Sequence, residues 1–237
     1  MKILVLIPAY NEGAGIAGVI AGIRRVAPEN DILVVNDGSN DSTAEVAEAA
    51  GAVVASHPFN MGYGVAIQTG YKYASAHSYD VIVQIDGDGQ HDPAYIPALL
   101  KPVLAHEIDF VLGSRFLGEG IYTPDWARRM GMCLFRTLVS WKIGYRITDS
   151  TSGYQAFNRN VIRFFTSEAF PNDYPDADVL ITLHLAGFKI TEVPVRMYSN
   201  INGTSMHRGL MPFYYIFKML LSISVLLFRR MHADRRT

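Results

Sequence analysis

The sequence predicts an α/β domain built on a mostly parallel sheet with helices on both faces. Three observations carry that expectation. Strand-like apolar runs alternate with helical patterns through the first half of the chain. The connections between them are short. The apolar runs are continuous rather than alternating, as strands buried on both faces require.

The elements follow in order. Lys2–Ile7 reads as a buried first strand, and Gly15–Val26 carries apolar residues at helical spacing. Asp31–Val35 is a second strand, ending at Asn36-Asp37-Gly38-Ser39. Asp41-Ser42-Thr43 offers N-caps to a helix over Thr43–Ala50. A short strand at Ala52–Ala55 precedes a helix over Gly62–Ala76 with a glycine-rich first turn. Val81–Ile85 is a buried strand that ends at Asp86-Gly87-Asp88. Pro93 opens a helix running to Leu104, and Ile108–Leu112 is a further strand. The second half is less regular. Asp125–Ile143 reads as a helix, Thr148–Phe157 as a polar loop and Asp178–Ala186 as a helix. Lys189–Met197 is a strand whose Pro194 argues for a sheet edge. Ser199–Gly209 is a polar loop, and Leu210–Met231 a final apolar helix.

The bulk numbers bound the function. A length of 237 residues suffices for one α/β domain with a sizeable core. A hydrophobic content of 49% against 18% charged excludes a disordered chain. The net charge of −1 provides no basic field for nucleic acid. The single cysteine, Cys133, has no partner for an intrachain disulfide, which fits a reducing, cytoplasmic compartment. It lies in an apolar stretch and reads as a small core residue. The run Ile3–Ile7 is too short for a secretory signal. Met219–Phe228 is half the ~20 residues that a spanning helix needs. Without repeats or a long linker, residues 1–208 read as one domain and 209–237 as an apolar helix with a basic tail.

In open parallel sheets, ligands bind at the carboxyl ends of the strands. Four polar clusters stand there: Tyr10-Asn11-Glu12, Asn36-Asp37, Asp86–Gln90 and Ser114-Arg115. Asp86 and Asp88, with glycine between them, can turn toward one hard cation such as Mg²⁺ or Mn²⁺. Such ions share one or two carboxylates with substrate phosphates, and Gln90 or His91 could add a contact. Asp37 could accept from a base N–H or a ribose hydroxyl. Arg115 suits a bidentate grip on phosphate oxygens. Asp149, with Ser152 and Gly153, and Asp178 are the second-half groups that could face an acceptor. A competing motif is Gly13-Ala14-Gly15-Ile16-Ala17-Gly18, which matches the dinucleotide fingerprint. In that fingerprint the first glycine follows the strand directly, whereas Pro8–Glu12 intervenes here. Small residues packing the helix on the sheet explain the same glycines. His57, His77, His106 and His184 lack the spacing of a zinc site.

Taken together, these residues resemble the family-2 glycosyltransferases of the GT-A fold, and among them the polyprenyl-phosphate sugar synthases such as the dolichyl-phosphate mannose synthases. The matching segments are Ile7–Glu12, Val34–Thr43, Asn60–Ala74, Val83–Pro93, Gly113–Phe116, Asp149–Arg159 and Gly187–Met197. The resemblance implies that Pro8, Tyr10, Glu12 and Asp37 contact base and ribose, with Gly62 on the nucleotide-sugar side. It implies that Asp86 and Asp88 hold Mg²⁺ or Mn²⁺ and the diphosphate, with Gln90 as a further ligand and Arg115 on phosphate. Asp149, Ser152 and Gly153 would lie near the acceptor, and Asp178 on a helix facing the transfer site. The catalytic set implied is Asp88, Asp178 and Arg115. The implied reaction is inverting, metal-dependent transfer from a UDP-, GDP- or dTDP-linked sugar to an undecaprenyl or dolichyl phosphate. The alternatives are a hydroxyl acceptor, a nicotinamide-dependent oxidoreductase and a non-catalytic sugar-nucleotide-binding protein.

Two positions depart from the family pattern: Asn36 stands where the family has Asp, and no Arg occurs near Asn200 unless His207 or Arg208 substitutes. The aromatics from Pro212 to Lys218 and the pair Arg229-Arg230 suit a helix in the membrane interface, with a dimer contact as the other expectation. Peripheral attachment at the cytoplasmic face of the membrane follows as the expected location.

Overall fold

The alternation of apolar runs and helical patterns becomes one sheet with two helical layers. The structure, a computed structural model, describes residues 1–117, 126–166 and 177–198, together with Leu221; for 126–131 only the backbone is described. The strands are β1 (Ile3–Ala9), β2 (Asp31–Asn36), β3 (Val53–Ser56), β4 (Val81–Gln84), β5 (Phe110–Ser114), β6 (Gln155–Asn158) and β7 (Ile190–Pro194). The helices are α1 (Ile16–Val26), α2 (Thr43–Ala49), α3 (Tyr63–Ala76), α4 (Ile96–Leu104), α5 (Trp126–Ile143), α6 (Arg159–Phe165) and α7 (Ala177–Leu185). The strand order is β3-β2-β1-β4-β6-β5-β7, and β6 alone runs antiparallel to its neighbours.

Strand periodicity divides the core in two. Leu4 and Leu6 of β1 enter one cluster, Val5 and Ile7 the other. The first is rich in aromatics: Tyr71, Phe110, Phe157 and Phe165 stack or meet edge to face at 5.2–6.2 Å. Phe135, Val139 and Ile143, four apart on α5, close it. The second cluster takes Ile16, Ile20 and Ile23 from α1 and Ile96, Leu99 and Val103 from α4.

Several expectations change. Thr148–Phe157 is not all loop, because Gln155–Asn158 forms β6. Four residues with polar ends carry too little periodicity to announce a strand. Asn158 then caps α6 by accepting from the N–H groups of Asn160 and Val161. The Pro93 segment is a 3-10 turn, Pro93–Tyr95, that leads into α4. Cys133 is exposed rather than in the core, since it lies off the Phe135–Val139–Ile143 stripe. Gly15 and Gly18 do not pack α1 on the sheet: a Cβ at either would meet nothing within 4 Å. Gly22 is the packing glycine, where a Cβ would stand 3.0 Å from Pro93 Cγ. Pro194 lies on edge strand β7, as expected.

No helix among the described residues is long and apolar enough to cross a membrane. The loop Ser199–Gly209, with Asn200, His207 and Arg208, lies outside the described residues, as does the helix expected over Leu210–Met231 apart from Leu221.

Gly38 joins β2 to the site at φ +66, and a Cβ there would lie 2.3 Å from the Phe59 carbonyl carbon. Gly38→Ala is therefore expected to cost about 2–5 kcal/mol, combining positive-φ strain with overpacking against backbone. Urea unfolding of the variant checks this.

Candidate active site

The carboxyl edge of the sheet gathers the polar clusters, and hydrogen bonds between loops fix their relative places. Asn11 N donates to Ser39 Oγ at 2.9 Å, Glu12 N to Thr43 Oγ1 at 2.8 Å and Gly13 N to Asp41 Oδ2 at 3.0 Å. The β1–α1 loop is thus stapled to the β2–α2 loop. Asn36 is structural: its Oδ1 accepts from Ser39 N at 3.1 Å and its Nδ2 donates to Ser56 Oγ at 3.1 Å. Pro8 is buried in β1, while Tyr10 just beyond it is 42% exposed.

Asp37 is 4% exposed and richly bonded. Its Oδ1 accepts from Met61 N at 2.9 Å and lies 2.7 Å from His57 Nδ1; its Oδ2 accepts from Gly62 N at 2.8 Å. His57 Nε2 lies 2.9 Å from Thr69 Oγ1 on α3. Gly62 thus belongs to the Asp37 side of the site, through its N–H.

Asp86 and Asp88 follow β4. Tyr63 Oη donates to Asp86 Oδ1 at 3.2 Å and accepts from Gln84 Nε2 at 2.9 Å, while Tyr71 Oη donates to Gln84 Oε1 at 2.5 Å. This chain of hydrogen bonds runs from the aromatic core to the carboxylate. Gly87 owes its place to close packing rather than to an unusual φ: a Cβ would stand 3.2 Å from Pro8 O. Gln90 gives Asp88 its backbone N–H at 2.9 Å. His91 is buried against Tyr154, with ring centroids 5.0 Å apart, and burial pushes its pKa down. It stays neutral, its Nδ1 accepting from Asp86 N at 3.4 Å.

The antiparallel strand completes the site. Because β6 runs opposite to β4 and β5, its start lies on the same edge as their ends. Gly153 thereby meets Asp86: a Cβ at Gly153 would lie 2.8 Å from Asp86 Oδ2 and 2.9 Å from Tyr63 Oη. Gln84 Nε2 donates to Gly153 O at 3.2 Å, and Ser152, 3% exposed, accepts from Tyr154 N through Oγ. The ends of β4 and β5 are consequently not adjacent but separated by β6.

Arg115 and Asp149 form one unit. Arg115 Nε and Nη2 donate to the two Asp149 oxygens at 2.6 Å each, and Nη2 also reaches Thr151 Oγ1 at 2.8 Å. Glu192 of β7 holds the same turn by accepting from Thr148 N and Asp149 N at 2.7 and 2.8 Å. Asp178 is buried in the first turn of α7, its Oδ1 accepting from Val179 N at 2.9 Å. Sequence reasoning passed over Tyr63, Gln84 and Glu192, and weighed His57 only as a zinc ligand. Gln84 did carry a signal, being a lone polar residue at the end of an apolar strand.

The electrostatics disfavour the ionised forms of three carboxylates. Glu12 is pushed up to about 7 by burial, then by the charges of Asp88, Asp41 and Asp86. Asp86 is pushed up to about 6 by burial, against the lowering influence of Tyr63 and Arg115. Asp88 is raised by burial and by the charge of Asp86. Among the described residues, no group of three His, Cys, Asp or Glu side chains is placed to hold a metal ion. Two crowded carboxylates without a full protein cage suit Mg²⁺ or Mn²⁺ shared with a diphosphate.

Such an edge, on such a sheet, is where α/β enzymes bind their ligands. The chain belongs to glycosyl transferase family 2, whose model matches residues 4–166, and it is a glycosyltransferase. It is 30% identical to the undecaprenyl-phosphate mannosyltransferase of Micrococcus luteus, covering 88% of either chain. It is 32% identical to the dolichyl-phosphate hexose transferase of Haloferax volcanii over 81% of this chain and 80% of that one. The structure also matches glucosyl-3-phosphoglycerate synthase from Mycobacterium tuberculosis in complex with Mn²⁺, UDP and glucosyl-3-phosphoglycerate. There the TM-score is 0.68 at 25% identity, covering 93% of this chain and 79% of that one. The GT-A fold is thus shared.

The raised carboxylates have a measurable consequence. The folded state holds the Glu12 proton more tightly than the unfolded chain, so stability without metal falls as pH rises from 4.5 to about 7. A bound cation favours the ionised forms and offsets that fall. Melting temperatures measured across this range should decline without metal and flatten with Mn²⁺ and UDP.

Proposed function

We propose that this glycosyltransferase moves a sugar, with inversion, from a nucleoside-diphosphate donor to a polyprenyl phosphate, using Mg²⁺ or Mn²⁺. The observation that carries the donor half is the crowding of Glu12, Asp86 and Asp88, whose ionised forms are all disfavoured without a cation. Asp86 and Asp88 would hold the ion, with Gln90 beside them. When bound, the metal supplies positive charge to the departing diphosphate. Asp37 and Gly62 serve the base side, with Pro8 and Tyr10 at the end of β1. Arg115 adds its positive charge, which already reaches Asp86.

In the transfer, an acceptor oxygen forms a bond to the anomeric carbon as the bond from that carbon to the diphosphate breaks. The electron pair leaves with the nucleoside diphosphate. A phosphate acceptor is already ionised and needs no strong base; a hydroxyl acceptor would need one, and Asp178 is the candidate. Two relatives of this chain are named for transfer to undecaprenyl phosphate and dolichyl phosphate, which supports the lipid reading. Asp88→Ala is expected to lower transfer by about a hundredfold or more with the fold unchanged by circular dichroism. Near-normal transfer would remove Asp88 from the site.

A lipid acceptor implies a membrane surface, and the described residues offer support for one. Trp141 at the end of α5 is 73% exposed. It lines an open groove of about 660 Å³ with Tyr145, Arg136 and Arg146. A second groove, sharing Tyr145 and Arg146, runs past Phe116 and Leu117 to Glu192, which holds Asp149. Exposed aromatics beside cations suit the headgroup region of an anionic bilayer. Peripheral attachment at the cytoplasmic face, with residues 209–237 as a second contact outside a 1–208 catalytic domain, is the arrangement proposed. Sedimentation with phosphatidylglycerol vesicles should fall at least several-fold in Trp141→Ala/Arg146→Ala, while soluble-donor hydrolysis persists. Equal sedimentation of variant and parent would refute this face.

A further inference from the structure

Three acceptor positions of the Asp37 carboxylate are already used within the protein, and that limit bears on which nucleotide enters. An ionised carboxylate offers about four lone-pair positions, two on each oxygen. Both positions on Oδ1 are taken, by His57 Nδ1 at 2.7 Å and Met61 N at 2.9 Å. One on Oδ2 is taken by Gly62 N at 2.8 Å. His57 is itself fixed at its far nitrogen by Thr69 Oγ1, and its side chain is only 10% exposed. The Asp37 side chain keeps 5% of its surface accessible. What remains on the carboxylate is one acceptor position, on Oδ2.

We infer that His57 is a specificity-determining positioning residue, and that the lock it forms with Met61 and Gly62 on Asp37 selects a uracil or thymine nucleotide over guanine. Uracil and thymine present a single ring N–H, flanked by carbonyls. Guanine presents two donors side by side, and these engage a carboxylate through both of its oxygens. With Oδ1 filled, one guanine donor enters a desolvated site without an acceptor, and that mismatch lowers affinity on the order of tenfold or more. The rim suits a flat base. Tyr10, Phe59 and Met61 are 42%, 64% and 44% exposed. They stand on segments bound to this corner: Ala9 O accepts from Asp37 N, Met61 N donates to Asp37, and the Phe59 backbone lies against Gly38.

The inference deepens the nucleotide-sugar reading and rests on it, and the test separates the two. Calorimetric titration of the full chain with UDP, dTDP and GDP, each with Mn²⁺, is expected to rank UDP or dTDP at least tenfold tighter than GDP. GDP binding as tightly as UDP or more so would overturn the inference while leaving the nucleotide reading intact. Binding of none of the three would overturn both. His57→Leu frees one position on Oδ1 and is expected to shrink the UDP-to-GDP affinity ratio several-fold. A merely structural role would weaken both ligands alike, and an unchanged ratio would overturn the role given to His57. If His57→Leu does not fold, Thr69→Val releases the ring from its other anchor and should shift the ratio in the same direction; an unchanged ratio there counts equally against it.

Discussion

The contact on which the site depends is the approach of Gly153 to the Asp86 carboxylate. Asp86 follows the parallel strand β4, and Gly153 precedes β6, the one antiparallel strand among the described residues. They meet because β6 is inserted between β4 and β5 with its direction reversed. A parallel strand in that slot would carry its first residues to the far edge of the sheet. Reversal also lets Gln84, Tyr63 and Tyr71 be shared: one amide donates to the Gly153 carbonyl and to Tyr63, which in turn donates to Asp86. The carboxylate is therefore oriented from the aromatic core rather than by solvent.

Around that contact the scaffold holds like charges together. Burial first, and then the charges of Asp88, Asp41 and Asp86, disfavour ionisation of Glu12. The staples from Asn11 to Ser39 and Glu12 to Thr43 join backbone donors to hydroxyl oxygens and hold whichever acids are protonated, while the staple from Gly13 to Asp41 favours the ionised Asp41 carboxylate. Protonation relieves that crowding at low pH, and a bound cation would relieve it at neutral pH.

Much of this was legible in the sequence, and the gaps have physical causes. Continuous apolar runs gave β1, β2 and β4 to within two residues, because burial on both faces leaves no polar positions to blur them. Asp37, Asp86 and Asp88 were visible because they sit directly after such runs. β6 was invisible because Gln155 and Asn158 are polar and the strand is four residues long. Without it, nothing in the sequence showed why Gly153 matters. Arg115 and Asp149 were each legible as polar groups in loops, but their pairing spans 34 positions of chain and no local pattern encodes it. The same holds for His57, whose partners Asp37 and Thr69 lie on two other elements.

The Arg115–Asp149 pair also bears on which acceptor the chemistry can serve. A hydroxyl acceptor requires a side chain with a lone pair free to take its proton. Asp149 has both oxygens engaged by the guanidinium of Arg115, which also receives its support from Thr151. Glu192 is committed to the backbone of Thr148 and Asp149. His91 is buried with its Nδ1 turned to the Asp86 amide. These three groups are thus arranged to hold charge and shape rather than to move a proton. An acceptor that arrives already ionised asks nothing more of them, and a phosphate on a lipid meets that condition at neutral pH.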